Sequence, residues 1–255
     1  MSDRIEAAPV GDMIAAIGAE RFPAVLAGLL RGIAPFSHTV MFGYSGAARP
    51  IDLYDDFPSG RQRIFVEAYQ EGPYLLDPFY LACSQPVNTG LYRLKDVAPD
   101  RFYQGEYFRS YYSQTGLAEE IGFFTSLPGG VMVVVSLMRT DRVFSAREFR
   151  ALQAACPVVE AAVRRHWADI SQRFAPAARQ RDLVHLAFET FGASVLTARE
   201  REVVEYTLKG HSAEATGLIM GIARGTVRIH RRNIYAKLRI SSQGELFSQF
   251  IQTLI

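Results

Sequence analysis

Six basic side chains fall between Arg224 and Arg239: Arg224, Arg228, Arg231, Arg232, Lys237 and Arg239, with no acid among them. Aliphatic residues recur every three or four positions through the same stretch, RGTVRIHRRNIYAKLRI. Projected at about 100° per residue, Val227, Ile234 and Leu238 fall together, while Arg228, Arg232 and Ile229 cluster on the opposite side. The chemistry open to such a helix is recognition of a polyanion. Its apolar face packs against neighbouring helices and its basic face enters a groove, where two arginines four apart reach guanine edges or phosphates and Ile229 reaches a thymine methyl. Arg231, Lys237 and Arg239 suit phosphate contacts, which set register without reading sequence. His230 sits at the core edge, where packing or phosphate contact competes with base readout.

A second group with chemical capacity lies between Tyr69 and Phe124, where aromatic residues concentrate. Tyr69, Tyr74, Asp77, Tyr80, Tyr103, Tyr107, Tyr111 and Phe123 are the candidate lining of a ligand cavity. Tyrosines around a carboxylate suit a cationic ligand, the rings acting through their faces and Asp77 through its charge. The competing readings are core packing for each ring and a helix cap ahead of Pro78 for Asp77. No Ser/His/Asp grouping, nucleophile elbow or metal-ligand spacing appears, and Cys83 and Cys156 fit neither a disulfide framework nor a metal motif. The sequence therefore predicts no catalytic residue, no metal and no cofactor, with a small-molecule effector of unknown identity as the ligand.

The elements that must position these residues follow from pattern. The chain has 255 residues, enough for two domains, and is 49% hydrophobic and 21% charged, a folded composition. Its net charge of +2 is unevenly divided. From Leu196 onward nine Lys/Arg stand against five Asp/Glu, a balance of +4, leaving 19 against 21, or −2, for the rest. A basic tail on a mildly acidic body assigns the polyanion to the tail. The longest apolar run, GGVMVVVSLM, is about half the length of a membrane span, and MSDRIEAAPVGDM lacks the pattern of a secretion signal, so a cytoplasmic protein is expected.

Periodicity predicts helices in VGDMIAAIGAERFPAVLAGLLRGIA, broken near Pro23, then strands over His38–Ser45 and PIDLYDD. SGRQRIFVEAYQEG and EYFRSYYSQTG read as helices closed by Gly72 and Gly116. Strands GLAEEIGFFTSL and VMVVVSLMRT flank Pro128-Gly129-Gly130, a hairpin pattern. FSAREFRALQAACPVVEAAVRRHW reads as one helix, with Ser145 and Glu148 spaced as a capping box. This order predicts an α+β chain: an N-terminal α/β/α sandwich around an antiparallel sheet over 1–167 and a connector over 168–195, helical at 178–191. An all-α unit of about four helices follows over 196–255.

That last unit opens with Thr197 and Glu200 in capping-box spacing, runs to Gly210, and continues with a short helix ending at Gly221, a turn, and the basic helix. LTAREREVVEYTLKG and TVRIHRRNIYAKL resemble the DNA-binding domain of LuxR-type transcriptional regulators over about residues 196–254. The resemblance implies double-stranded DNA as a partner, with RNA polymerase a further candidate, and matches Thr226, Arg228, Ile229 and Arg232 to the family's contact positions. It also implies a homodimer, with Leu246, Phe250, Ile251 and Leu254 of the final helix as a dimerisation stripe; packing within the domain is the alternative. Ala215-Thr216-Gly217 and Ala223-Arg224-Gly225 depart from the family pattern. The second departure removes the usual cap of the recognition helix, and each added glycine costs up to about 1 kcal/mol of helix stability.

The first 165 residues lack the acidic set of a phosphorylation-controlled receiver and the GxxxxGK[ST] loop of an ATPase. AYQEGPYLLDPFY resembles a stretch of acyl-homoserine-lactone receptors in which Asp-Pro follows aromatic residues, here Asp77-Pro78. Those receptors carry pocket tryptophans, whereas the single Trp here is Trp167. The expectation is a GAF- or PAS-like sensor of an amine or amino-acid-like metabolite, controlling DNA binding through dimer or domain rearrangement. The alternative is an N-terminal domain that serves only dimerisation or protein contact.

Overall fold

A computed structural model of the chain describes residues 7–46, 48–110, 112–174 and 183–253, the backbone alone for 183–186. Five strands form one antiparallel sheet: β1 (His38–Ser45), β2 (Ile51–Asp55), β3 (Gly90–Arg93), β4 (Glu119–Leu127) and β5 (Val131–Arg139), in the order β2-β1-β5-β4-β3. Pro128-Gly129-Gly130 closes the β4–β5 hairpin with Leu127 opposite Val131. The short edge strand β3 is absent from the pattern reading.

Every residue of β5 is buried, because the sheet is covered on both faces. Met41, Ile121, Phe123, Val133, Val135 and Leu137 point to one side. There they meet a helical layer of α1 (Ala7–Ala16), α2 (Phe22–Ile33) and the later helices α7 and α8. Val40, Phe42, Tyr44, Phe124, Met132, Val134 and Met138 point to the other, beneath residues 57–117. The α/β/α layering is therefore as the sequence predicts.

Residues 57–117 are more broken than periodicity suggests. A turn of α3 (Ser59–Gln62) passes into a π-helical stretch, Arg63–Ala68, and then α4 (Pro78–Cys83) and α5 (Leu94–Val97) follow. Among the described residues of the expected EYFRSYYSQTG helix only Glu106–Ser110 are α-helical (α6), with a 3-10 turn at Tyr112–Thr115. The long helix after β5 is two, α7 (Ala146–Ala154) and α8 (Cys156–His166), divided where Pro157 cannot continue the hydrogen-bond ladder. The capping box of Ser145 and Glu148 is formed. Buried Arg139 donates to both Glu148 carboxylate oxygens, at 3.1 and 2.8 Å, and ties the end of β5 to α7.

In the expected connector, α9 (Ser171–Phe174) follows Ile170, and Ile170 and Phe174 are buried in the helix-side core. Helix α10 (Leu183–Thr190) covers the described part of the predicted 178–191 helix; residues 178–182 lie outside the described residues. Its Phe188 stacks on Phe250 with ring centroids 4.5 Å apart. Four helices complete the chain: α11 (Ala198–Leu208), α12 (Ala213–Met220), α13 (Arg224–Leu238) and α14 (Gln243–Gln252). The Thr197/Glu200 box is formed, Gly221 ends α12 in the left-handed conformation, and Ala223 gives α13 no side-chain cap.

The two units touch along residues 100–106. Arg101 N donates to Gly210 O at 3.1 Å, and Ser212 N donates to Asp100 Oδ1 at 3.0 Å. Gly210 has φ +91°, and a Cβ there would lie 3.2 Å from the Phe102 Cα, so both backbone conformation and close approach require glycine.

Candidate functional site

The sheet face away from α1 and α2 encloses a cavity of about 40 Å³. Alternation along β1, β4 and β5 brings Val40, Phe42, Tyr44, Glu120, Ser136 and Met138 to its floor. Phe65, Tyr69, Asp77, Tyr107, Tyr112, Thr115 and Leu117 supply the roof from the irregular segment above.

Two carboxyl groups share this space. Asp77 Oδ1 accepts from Phe79 N at 2.9 Å and caps α4, while Oδ2 accepts from the Tyr69 hydroxyl at 2.6 Å. Capping and cavity lining are thus both true of Asp77. The Tyr44 and Tyr69 hydroxyls lie 3.0 Å apart and extend the chain of hydrogen bonds. Glu120 accepts from Ser136 Oγ at 2.7 Å and from the Tyr112 hydroxyl at 3.1 Å. Burial pushes the Asp77 carboxyl up to about 6, against the hydrogen bonds from Tyr69 and Phe79. Burial, and then the charge of Asp77, push Glu120 up to about 8. No Lys, Arg or His lines the cavity among the described residues.

Of the residues singled out from sequence, Tyr69, Asp77 and Tyr107 line the cavity. Tyr74 and Tyr80 are buried behind it, packed edge to face with centroids 5.0 Å apart. Tyr103 is half exposed and faces an outer groove of about 550 Å³. Phe123 points to the opposite side of the sheet, into the helical layer, because it has the other parity from Glu120 and Phe124. Tyr111 lies outside the described residues. Trp167 is buried against Phe22 in the helical layer, far in the fold from this cavity. Glu120, Tyr44 and Ser136 escaped the sequence reading, and Tyr112 belongs to the aromatic concentration between Tyr69 and Phe124. The available clue was the second acid, Glu120, at the head of a strand whose next four residues are Ile121, Gly122, Phe123 and Phe124.

In the C-terminal unit, Val227 and Ile234 are buried and Leu238 half-buried, as the projection of α13 predicts. Arg224, Thr226, Arg228, Arg232 and Ile229, the last 51% exposed, are open to solvent. Arg231 turns elsewhere. Its Nε donates to Thr207 Oγ1 at 3.1 Å and its Nη2 to His211 O at 2.9 Å. Lys237 Nζ donates to Glu200 Oε2 at 2.6 Å and joins α13 to α11. Leu246 and Phe250 are buried within the chain and Ile251 is half-buried; Leu254 lies outside the described residues.

The family profile "GerE: Bacterial regulatory proteins, luxR family" matches residues 194–249. Over 187 residues the chain is 34% identical to a protein of Aeromonas salmonicida named as an HTH-type transcriptional regulator in the exeN 3′ region, covering 70% of this chain and 95% of that one. This chain belongs to the luxR family of bacterial regulatory proteins. The luxR-family regulator is also 26% identical over 241 residues to the monoamine regulon transcriptional regulator of Klebsiella aerogenes, covering 93% of this chain and 95% of the relative. Its fold matches the crystal structure of the VqsR LBD domain from Pseudomonas aeruginosa with a TM-score of 0.55 at 24% identity, covering 62% of this chain and 94% of that one. The relatives are transcriptional regulators and not enzymes. Among the described residues no helix is long and apolar enough to cross a membrane.

Proposed function

We propose that this luxR-family regulator takes a small organic cation, an amine or amino-acid-like metabolite rather than an acyl-homoserine lactone, in the sheet-side cavity. It acts in the cytoplasm as a homodimer on double-stranded DNA. One observation carries the reading: two buried carboxyls, Asp77 and Glu120, face one aromatic cavity that no cationic side chain among the described residues lines. Buried charge demands a partner, and an ammonium group supplies it, with the tyrosine rings adding cation–π attraction. The likeness to a monoamine regulon regulator along nearly the whole chain supports the same class.

Size is consistent with this. A cavity of about 40 Å³ has room for about three waters, which is the scale of an ammonium head. The outer groove shares Tyr112, Leu117 and Glu120 with the cavity, so the body of the ligand lies along it. Tyr107 lines the cavity a few residues beyond Asp100 and Arg101, which hold the α11–α12 turn. A ligand that prefers one position of this segment thereby shifts how the DNA-binding unit is presented. In that unit Thr226, Arg228, Ile229 and Arg232 are the residues that face DNA, and Arg228 and Arg232 supply base or phosphate contacts.

The test is thermal unfolding of the full chain against amines, amino acids, acyl lactones and aromatic acids. At about one hundred times its dissociation constant an amine stabilises by about 2.7 kcal/mol, and the Asp77→Asn and Glu120→Gln chains lose that shift. Stabilisation by a lactone or an aromatic acid, with no response to any amine, would overturn the assignment.

A further inference from the structure

Where residues 100–109 meet the C-terminal unit, the two enclose a cleft of about 210 Å³, separate from the sheet-side cavity. Arg101, Gln104, Gly105 and Arg109 line it from one unit and Gly210, His211, Arg231 and Gln243 from the other. Three guanidinium groups and an imidazole therefore converge from two units on one space with no carboxylate in its lining. Two acids stand beside the cleft without lining it: Asp100, whose charge acts on Arg101, His211 and Arg231, and Glu106. Asp100 accepts from Ser212 N, and Glu106 accepts from Ser110 Oγ at 2.9 Å. Arg101 and Arg109 have no carboxylate within ion-pair distance among the described residues, and both are exposed, so their side chains are free to turn inward.

Arg231 differs from those two, being held in place. Its bonds to Thr207 and the His211 carbonyl fix the guanidinium at the wall, and they leave further N–H donors on the same group. Burial depresses its hold on its proton and the neighbouring Arg101 charge acts in the same direction, with Tyr235 and Asp100 opposing. Like charges held together across a seam are relieved by an anion with several oxygens, and planar guanidinium forks are the side chains best shaped to bind one.

We propose that this cleft is a second ligand site, for a small multivalent oxyanion: a phosphate, a phosphate ester or a polycarboxylate. Bound there, the anion bridges Arg101 and Arg109 of the sensor to Arg231 of α13, and clamps the helix that carries the DNA-facing residues to the sensor. The site does not depend on what occupies the sheet-side cavity.

The experiment is thermal unfolding of the full chain in rising inorganic phosphate, and separately in citrate, with ionic strength held constant by sodium chloride. The expected result is a saturating rise in midpoint of about 5–10 °C at a hundredfold excess over the dissociation constant. Arg101→Gln and Arg109→Gln each weaken the apparent affinity about tenfold or more, while Arg165→Gln, an equal loss of charge on the exposed face of α8, leaves it unchanged. A response to phosphate alone assigns a phosphoryl ligand, and a response to citrate alone assigns a polycarboxylate. A rise that does not saturate, a rise equal in all three variants, or no rise with either anion would overturn the proposal.

Discussion

An amine seated between Asp77 and Glu120 binds as its ammonium; Asp77, at about 6, is already mostly ionised at pH 7, so for the head group to meet a carboxylate on both sides it is Glu120 that must give up its proton. Glu120 stands at about 8, raised first by burial and then by the charge of Asp77. At pH 6 such a group is ionised in about 1% of molecules and at pH 8 in about half. An alkyl amine stays protonated throughout this range, so the Glu120 step alone raises its affinity about 50-fold from pH 6 to pH 8. In the Glu120→Gln chain the step through 8 disappears and the remaining dependence ends near 6, where Asp77 titrates. Isothermal titration in two buffers of different ionisation heat measures both quantities. The unaltered chain should release close to one proton per amine bound at pH 7, and the Glu120→Gln chain should release few. An affinity that is flat from pH 6 to 8, or that strengthens as pH falls, would refute the carboxyl pair as the seat of the ligand.

Four further outcomes follow from the same geometry. Without ligand, Glu120 has a folded value near 8 against an ordinary 4.5, so the folded chain keeps a proton that the unfolded chain releases. The stability this contributes is complete below 4.5 and is lost as pH rises through 8. Melting temperature should fall from pH 5 to pH 8, and Glu120→Gln should flatten the fall. Thr216 is fully buried and its hydroxyl has no hydrogen-bond partner among the described residues; Thr216→Val should stabilise the C-terminal unit by about 1 kcal/mol, read by denaturant titration. Gly217→Ala would set a Cβ 2.7 Å from the Ile222 carbonyl oxygen. It should cost about 1–3 kcal/mol and weaken DNA binding while amine binding stays intact in calorimetry. Arg228→Ala or Arg232→Ala should each reduce the slope of log affinity against log salt on operator DNA by about one, whereas Arg231→Ala should leave it unchanged.

What the sequence determined alone are the features whose causes lie within a few residues. Both capping boxes, the hairpin at Pro128-Gly129-Gly130, the stop at Gly221 and the buried face of α13 are local, and each is legible as spacing. Asp77 was legible for the same reason, since an acid before Pro78 has few local roles. The cavity was not. It exists because β5 lies between β1 and β4, which brings Val40, Glu120 and Met138 into one floor from strands separated by about eighty residues. Strands buried on both faces read as continuous apolar runs, so alternation could not say which of Phe123 and Phe124 looks toward the ligand side. The fate of Arg231 is of the same kind. On a bare helix it is one more cation near Arg232, and only the packing of α13 against Thr207 and His211 turns it toward the seam. Residues that share a helix turn are fixed by backbone geometry, whereas those that share a cavity are fixed by strand order and register, which a one-dimensional pattern does not encode.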